Sequence, residues 1–307
     1  MQKYTPKERW GQLSGRCSAR VTRPALGFCL PLVLSALIVG GCVTIPIKET
    51  DVFNVKRTIN PLSPIEPGVT LEEDLITAAD GVNLSMWLLK KERARATVLH
   101  FGGSGFLKVT ARNLAEALLS LDVNVVLVDY RGYGESGGRP SVQALKSDAL
   151  ATYRHLVARS DIDRSRLIVY GHSLGSFVAT YVAGREAAAG LILESPITDV
   201  RDWTSRMVPW AFRPFVTFDV DTTLTGESNL ERIKGMTLPL LLVVGSNDTF
   251  TPPAMAEELA AGSSSRLRSV AIIPGGGHND LPGRPEYLRA VGAFVDSVLR
   301  TPGSVSR

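Results

Sequence analysis

Two serines sit in a Gly-x-Ser-x-Gly pattern, the spacing that stands a serine hydroxyl on a tight turn where it can act as a nucleophile. One is Ser173 in "YGHSLGS", and the other is Ser136 in "GESGG". The pattern recurs by chance in a chain with 28 glycines, so the flanking residues must choose between them. "RLIVYGHSLGSFVATYVAG" runs from an apolar stretch directly into one rich in Ala and Val, which puts Ser173 at a strand-to-helix turn. Small residues two before and two after the serine let such a turn pack, and the helix N-terminus aims N–H groups at it. In "DYRGYGESGGRPS" the serine lies several residues past its strand, inside a glycine-rich loop, and Ser136 reads as a turn residue.

A serine hydroxyl needs a base, and the base needs an orienting acid. Of the four histidines, His278 in "PGGGHND" fits best, because Gly275, Gly276 and Gly277 leave the loop free to swing an imidazole inward. His100 ends a strand and reads as structural. His155 falls mid-helix beside Arg154 and Arg159 and reads as a surface residue. His172 is the elbow's own variable residue, directed away from the serine. For the acid, Asp248 in "VVGSNDTFTP" gives the chain order Ser, Asp, His. It ranks ahead of Glu194, the rival at an earlier strand end; its bland role would be to cap the helix near Pro252. An oxyanion hole needs two N–H groups. Leu174 supplies one, and the loop "FGGSGF" supplies the other, at Gly103 with Ser104 as alternative.

These residues need a frame. Apolar runs at 96–101, 123–130, 166–170, 190–195, 239–246 and 268–275 alternate with helical spacing at 108–121, 141–159, 174–187, the region after Pro252, and 285–300. Runs of that kind are strands buried on both faces, so the expected fold class is α/β, a mostly parallel eight-stranded sheet flanked by helices. The stretches 69–77 and 83–90, joined by "AADG", predict an antiparallel edge pair. Residues 196–236 break the rhythm with Trp203, Trp210, Phe212, Phe215 and Phe218, and predict a small lid.

"DYRGYGESGG", "YGHSLGS", "GSNDTFTP" and "IPGGGHND", in this order, resemble the α/β-hydrolase family. The similarity is greatest to its serine-aminopeptidase-like and palmitoyl-thioesterase-like members. The resemblance spans about residues 69–300 and implies Ser173 as nucleophile, Asp248 as acid, His278 as base, and the Leu174 and Gly103 N–H groups as oxyanion hole. Many members carry His-Gly at the oxyanion loop, where this chain has Phe101-Gly102. The family holds esterases, lipases, thioesterases and peptidases, so it does not name the substrate.

The ends carry separate signals. Residues 1–23 hold six basic side chains and one acid, and an apolar run from Pro24 to Cys42 follows. Its junction, "IVGGC", resembles a bacterial lipobox, with 1–41 as a lipoprotein signal and Cys42 as the lipidated residue. The expectation is a protein of the cell envelope, lipid-anchored to the membrane, at the outer membrane's periplasmic side if the source is Gram-negative. The proline-rich stretch 42–68 reads as a tether, 69–301 as the hydrolase domain, and 302–307 as a polar tail.

Composition narrows the partners. The chain has 34 Lys and Arg against 30 Asp and Glu, but removing 1–41 leaves 28 against 29. A near-neutral body gives no reason to expect nucleic acid. No cysteine follows Cys42, so the mature body has no disulfide. The sequence shows no metal-ligand cluster, and its glycine-rich loops lack the Lys-Ser/Thr ending of a phosphate-binding loop. The expectation is therefore a cofactor-free serine hydrolase acting on a small-molecule or acyl ester or thioester. A peptidase or amidase is the alternative, and a non-catalytic binding protein with the same fold is a third reading.

Overall fold

The computed structural model describes residues 42–57, 68–206 and 208–300. The expected signal segment 1–41 and tail 302–307 lie outside the described residues, as do residues 58–67 of the expected tether.

Ten strands are described. They are β1 (Val43–Ile47), β2 (Val69–Thr77), β3 (Asn83–Lys91), β4 (Ala96–Phe101), β5 (Val123–Val128), β6 (Leu167–His172), β7 (Gly190–Glu194), β8 (Val216–Val220), β9 (Leu240–Gly245) and β10 (Arg268–Ile273). Eight of them form one sheet in the order β10-β9-β7-β6-β4-β5-β3-β2. Pairing is parallel from β10 to β5 and antiparallel at β5–β3 and β3–β2, as the alternation of apolar runs predicts. Every residue of β4, β7 and β9 is buried, because helices cover both faces there.

On one face the cluster of Leu99, Val126, Val169 and Leu242 meets helices α2 (Val142–Ala158) and α3 (Gly175–Ala183) and the later helix Pro253–Gly262. On the other, Val98, Leu127 and Ile168 meet α1 (Arg112–Leu119) and the C-terminal helix Pro285–Arg300. Each such side chain contributes about 1.5–3 kcal/mol by leaving water. No helix among the described residues is long and apolar enough to cross a membrane.

The spacing predicts one helix over 108–121; the chain instead makes a 3-10 turn at Lys108–Thr110 before α1. The cause is Lys108, which is fully buried. Its Nζ lies 2.9 Å from Asp129 Oδ2, and its own backbone N–H donates to Asp129 Oδ1 at 2.9 Å. Glu135 closes on the same ammonium, which also lies 4.8 Å above the Trp87 ring. These contacts draw residue 108 out of the helix path. Asp129 and Glu135 belong to the loop after β5, so the ion pair ties that loop to the one after β4.

The region 196–236, where a lid is expected, holds the short helix Val200–Arg206, a 3-10 turn at Trp210–Phe215, strand β8, and the helices Thr222–Thr225 and Asn229–Ile233. β8 does not join the main sheet. It pairs in parallel with β1, in register from Val43↔Val216 to Ile47↔Val220. The segment after Cys42 is therefore docked on the lid as far as residue 47.

Replacing Lys108 by Ala leaves the Asp129 carboxylate buried without its counter-charge. The expected loss is about 3–5 kcal/mol of unfolding free energy, read from urea or thermal denaturation.

Candidate active site

β6 ends at His172 and α3 begins at Gly175, so the intervening turn has no slack. Ser173 adopts φ +53°, in the left-handed region that costs a non-glycine residue strain. The glycines on either side explain how it fits. A Cβ built on Gly171 would stand 2.4 Å from the Gly175 carbonyl oxygen. One built on Gly175 would stand 2.0 Å from the Phe101 carbonyl oxygen. Only glycine lets β6, α3 and the end of β4 approach this closely.

The structure brings the three sequence-predicted side chains together. His278 Nε2 lies 3.0 Å from Ser173 Oγ, and His278 Nδ1 lies 2.9 Å from Asp248 Oδ2. Asp248 follows β9, and its Oδ1 accepts N–H bonds from Phe250 and Thr251, each at 2.9 Å. The Thr251 hydroxyl donates to Oδ2 at 2.8 Å. Burial pushes the Asp248 pKa up, but the bonds from His278 and the Thr251 backbone outweigh it and hold the carboxyl at about 2. Asp248 is thus an anion at any working pH. It fixes the imidazole tautomer with the proton on Nδ1, which leaves Nε2 free to accept from the serine. Thr251 carried no signal beyond its place two residues before Pro253.

The backbone of Gly103 sits against Ser173, since a Cβ built there would lie 3.2 Å from Ser173 Cβ. Among the described residues neither the Leu174 nor the Gly103 N–H has an acceptor. The Gly102 carbonyl is held by the Tyr130 hydroxyl at 2.8 Å, which fixes the loop's direction. The hydroxyl of Ser104, the alternative, donates to the Val52 carbonyl at 2.9 Å.

The other candidates take structural places. Ser136 is buried, donates to the Asp129 carbonyl at 2.7 Å and accepts the Ser85 N–H at 2.8 Å. His155 Nε2 pairs with Asp74 at 2.7 Å. His100 is buried against Tyr170 and Phe106, and burial, then the charge of His172, pushes its pKa down to about 3. Glu194, the rival acid, faces Tyr170, whose hydroxyl donates to it and meets the Tyr287 hydroxyl at 2.7 Å. Burial raises the Glu194 pKa to about 7; the Tyr170 bond opposes this and the Asp248 charge adds to it. The next residue, Ser195, is buried at φ +46°. Phe250 is half-exposed and lies edge-on to the His278 ring at 4.8 Å, with Trp203 of the lid 5.1 Å beyond. Among the described residues no group of His, Cys, Asp and Glu could hold a metal ion.

A mostly parallel sheet wrapped by helices, with a strained serine between β6 and α3 and an Asp-His pair on the loops after β9 and β10, defines an α/β-hydrolase. The chain belongs to the α/β-hydrolase family, by its fold and by its relatives. A protein-family model described as "Serine aminopeptidase, S33" matches residues 92–220. An uncharacterized protein of Mycobacterium tuberculosis (strain CDC 1551 / Oshkosh) is 31% identical over 263 residues, 84% of this chain and 90% of that one. The alpha/beta hydrolase domain-containing protein WAV2 of Arabidopsis thaliana is 29% identical over 77% of this chain and 82% of its own. Among solved structures, the Pyrococcus furiosus esterase Pf2001 superposes with a TM-score of 0.64 at 21% identity, over 80% of this chain and 97% of that one.

Glu194 makes a prediction about stability. Its folded pKa of about 7 lies above the ordinary value of 4.5, so its contribution is complete below pH 4.5 and is lost as pH rises through 7. The loss is about 3 kcal/mol. In Glu194→Gln the corresponding fall in Tm between pH 5 and pH 8 is expected to disappear, as scanning calorimetry at both pH values would show.

Proposed function

We propose that the protein is a serine hydrolase that cleaves carboxylic esters or thioesters through an acyl-enzyme. The observation that carries this reading is the His278 imidazole spanning 3.0 Å to Ser173 and 2.9 Å to Asp248. Ser173 Oγ attacks the substrate carbonyl while His278 Nε2 takes its proton. Asp248 stabilises the resulting imidazolium, and the Leu174 and Gly103 N–H groups receive the oxyanion. The imidazolium then protonates the leaving alcohol or thiol. Water enters, gives its proton to His278, attacks the acyl carbon, and releases the acid as Ser173 regains its hydroxyl proton. Phe250, backed by Trp203, borders the base with apolar surface, which favours an acyl or aryl substituent over a charged one.

The matched family description favours a second reading, a peptidase. Three of the lid acids give little support to recognition of a free amine. Asp202 is taken up by Thr198 and Arg206, Asp199 by the Asp202 N–H, and Asp221 by Thr223. Hydrolysis of p-nitrophenyl esters is therefore expected to exceed that of aminoacyl anilides. A fluorophosphonate probe is expected to label the wild type and not Ser173→Ala. Anilide turnover without ester turnover would reverse the ranking, and equal labelling of both proteins would remove Ser173 from the mechanism.

Attachment to the cell envelope through Cys42 is part of the same proposal. It rests on the basic and apolar segments before "IVGGC" and on the exposure of Cys42. Mass spectrometry of the protein from bacterial membranes is expected to find a diacylglyceryl-modified N-terminus at Cys42. An uncleaved, unmodified chain would contradict it.

A further inference from the structure

The nucleophile turn, the oxyanion loop and the base loop come from separate parts of the chain, and one side chain meets all three. His172 ends β6, with its backbone in register with Glu194 of β7. Its Nε2 lies 2.9 Å from the backbone carbonyl oxygen of His278. A carbonyl oxygen only accepts, so Nε2 carries the proton and donates. The ring's other side faces the oxyanion loop, because a Cβ built on Gly103 would stand 3.0 Å from Nδ1 and 3.3 Å from Cε1. The ring centroid is 5.1 Å from that of His278.

The base loop needs such a tie. Three glycines precede His278, and Gly275 is at φ +66°. On the side of β9 the loop is held by the Asn247 N–H on the Gly276 carbonyl at 2.8 Å and by the Gly275 N–H on Ser246 Oγ at 2.9 Å. Those bonds place the loop relative to the acid. Among the described residues, the bond from His172 is the one that holds its backbone to β6.

We infer that His172 is a positioning residue, whose Nε2–H grips the His278 carbonyl and sets the reach of the His278 imidazole to Ser173. This rests on Ser173 and His278 being nucleophile and base. The role calls for a neutral ring. A charged one would face the His278 imidazolium at the moment that group holds the serine's proton, because His278, Asp248 and His100 are the titratable groups around it. Burial, and then the charge of His278, push the His172 pKa down to about 4. His172 therefore stays neutral wherever a serine hydrolase works, and it supplies a donor that no aliphatic residue offers there.

The test compares His172→Leu and His172→Phe, which lack the donor, with His172→Gln, which offers an N–H at similar reach. kcat and KM for a p-nitrophenyl ester, the rate of fluorophosphonate labelling and Tm are measured on each full-length variant. Assays run well below every Tm, and rates are normalised to folded protein. The donor-free variants are expected to lose about 10²-fold in kcat, with KM within about twofold and labelling slowed in proportion. His172→Gln is expected to recover about tenfold of that loss. If one donor-free variant does not fold, the other carries the comparison. Wild-type kcat in a folded donor-free variant, or a Gln variant no better than it, overturns the assignment while leaving the serine hydrolase intact. A wild type that neither hydrolyses ester nor labels at Ser173 sinks the hydrolase reading, and this role with it.

Discussion

The scarcity of room around Ser173 organises the molecule. The helix that follows it sits so close to β4 that any side chain on Gly175 would overlap the Phe101 carbonyl. The turn can close only with the serine in a left-handed conformation, at a cost on the order of 1–3 kcal/mol. A flexible loop would relax out of that state. Here it persists because β6 is hydrogen-bonded on both sides, to β4 and β7, and α3 is pressed onto the sheet by Val178, Ala179 and Val182. The core thus imposes the strained conformation rather than merely tolerating it. The same closeness sets the Gly103 backbone against the serine.

Two neighbouring carboxyls show how surroundings divide one chemistry into two. Asp248 meets two backbone N–H groups, a hydroxyl and an imidazole, and is held ionised. Glu194 is buried against tyrosine hydroxyls and is held toward its neutral form. Their charges oppose each other, so the ionised Asp248 itself helps keep Glu194 protonated. Only one of the pair can serve as a standing negative charge beside an imidazole.

Much of this was legible in the residues. The parallel sheet was written in continuous apolar runs such as Val125–Val128 and Leu240–Val244, which need no partner's identity to be recognised. The elbow was legible because its glycines and serine are adjacent in sequence. Asp248 and His278 were legible because each follows a strand whose end the sheet must align. What escaped notice depends on contacts between distant segments. Lys108 reads as a helix residue until Asp129 arrives from another loop. Thr251 and Tyr130 are ordinary until their hydroxyls meet Asp248 and Gly102. His172 reads as directed away from the serine, which is true of its position, and only the folded base loop shows what its ring holds. The pairing of β1 with β8 joins residues more than 170 apart and leaves no local periodicity to read.

That pairing links the start of the described chain to the lid and the site. From Cys42 the chain runs along β8, passes its Ile47 carbonyl to the Asp221 N–H, caps α2 through Glu49, and meets Ser104 and Gly134 before residue 57. A pull on Cys42 along the strand would load the β1–β8 ladder in shear, straining its bonds together, rather than peeling them apart one at a time. The lid would take up the force before the main sheet did. The first described strand would thus give way as a mechanical fuse between a load on Cys42 and the main sheet.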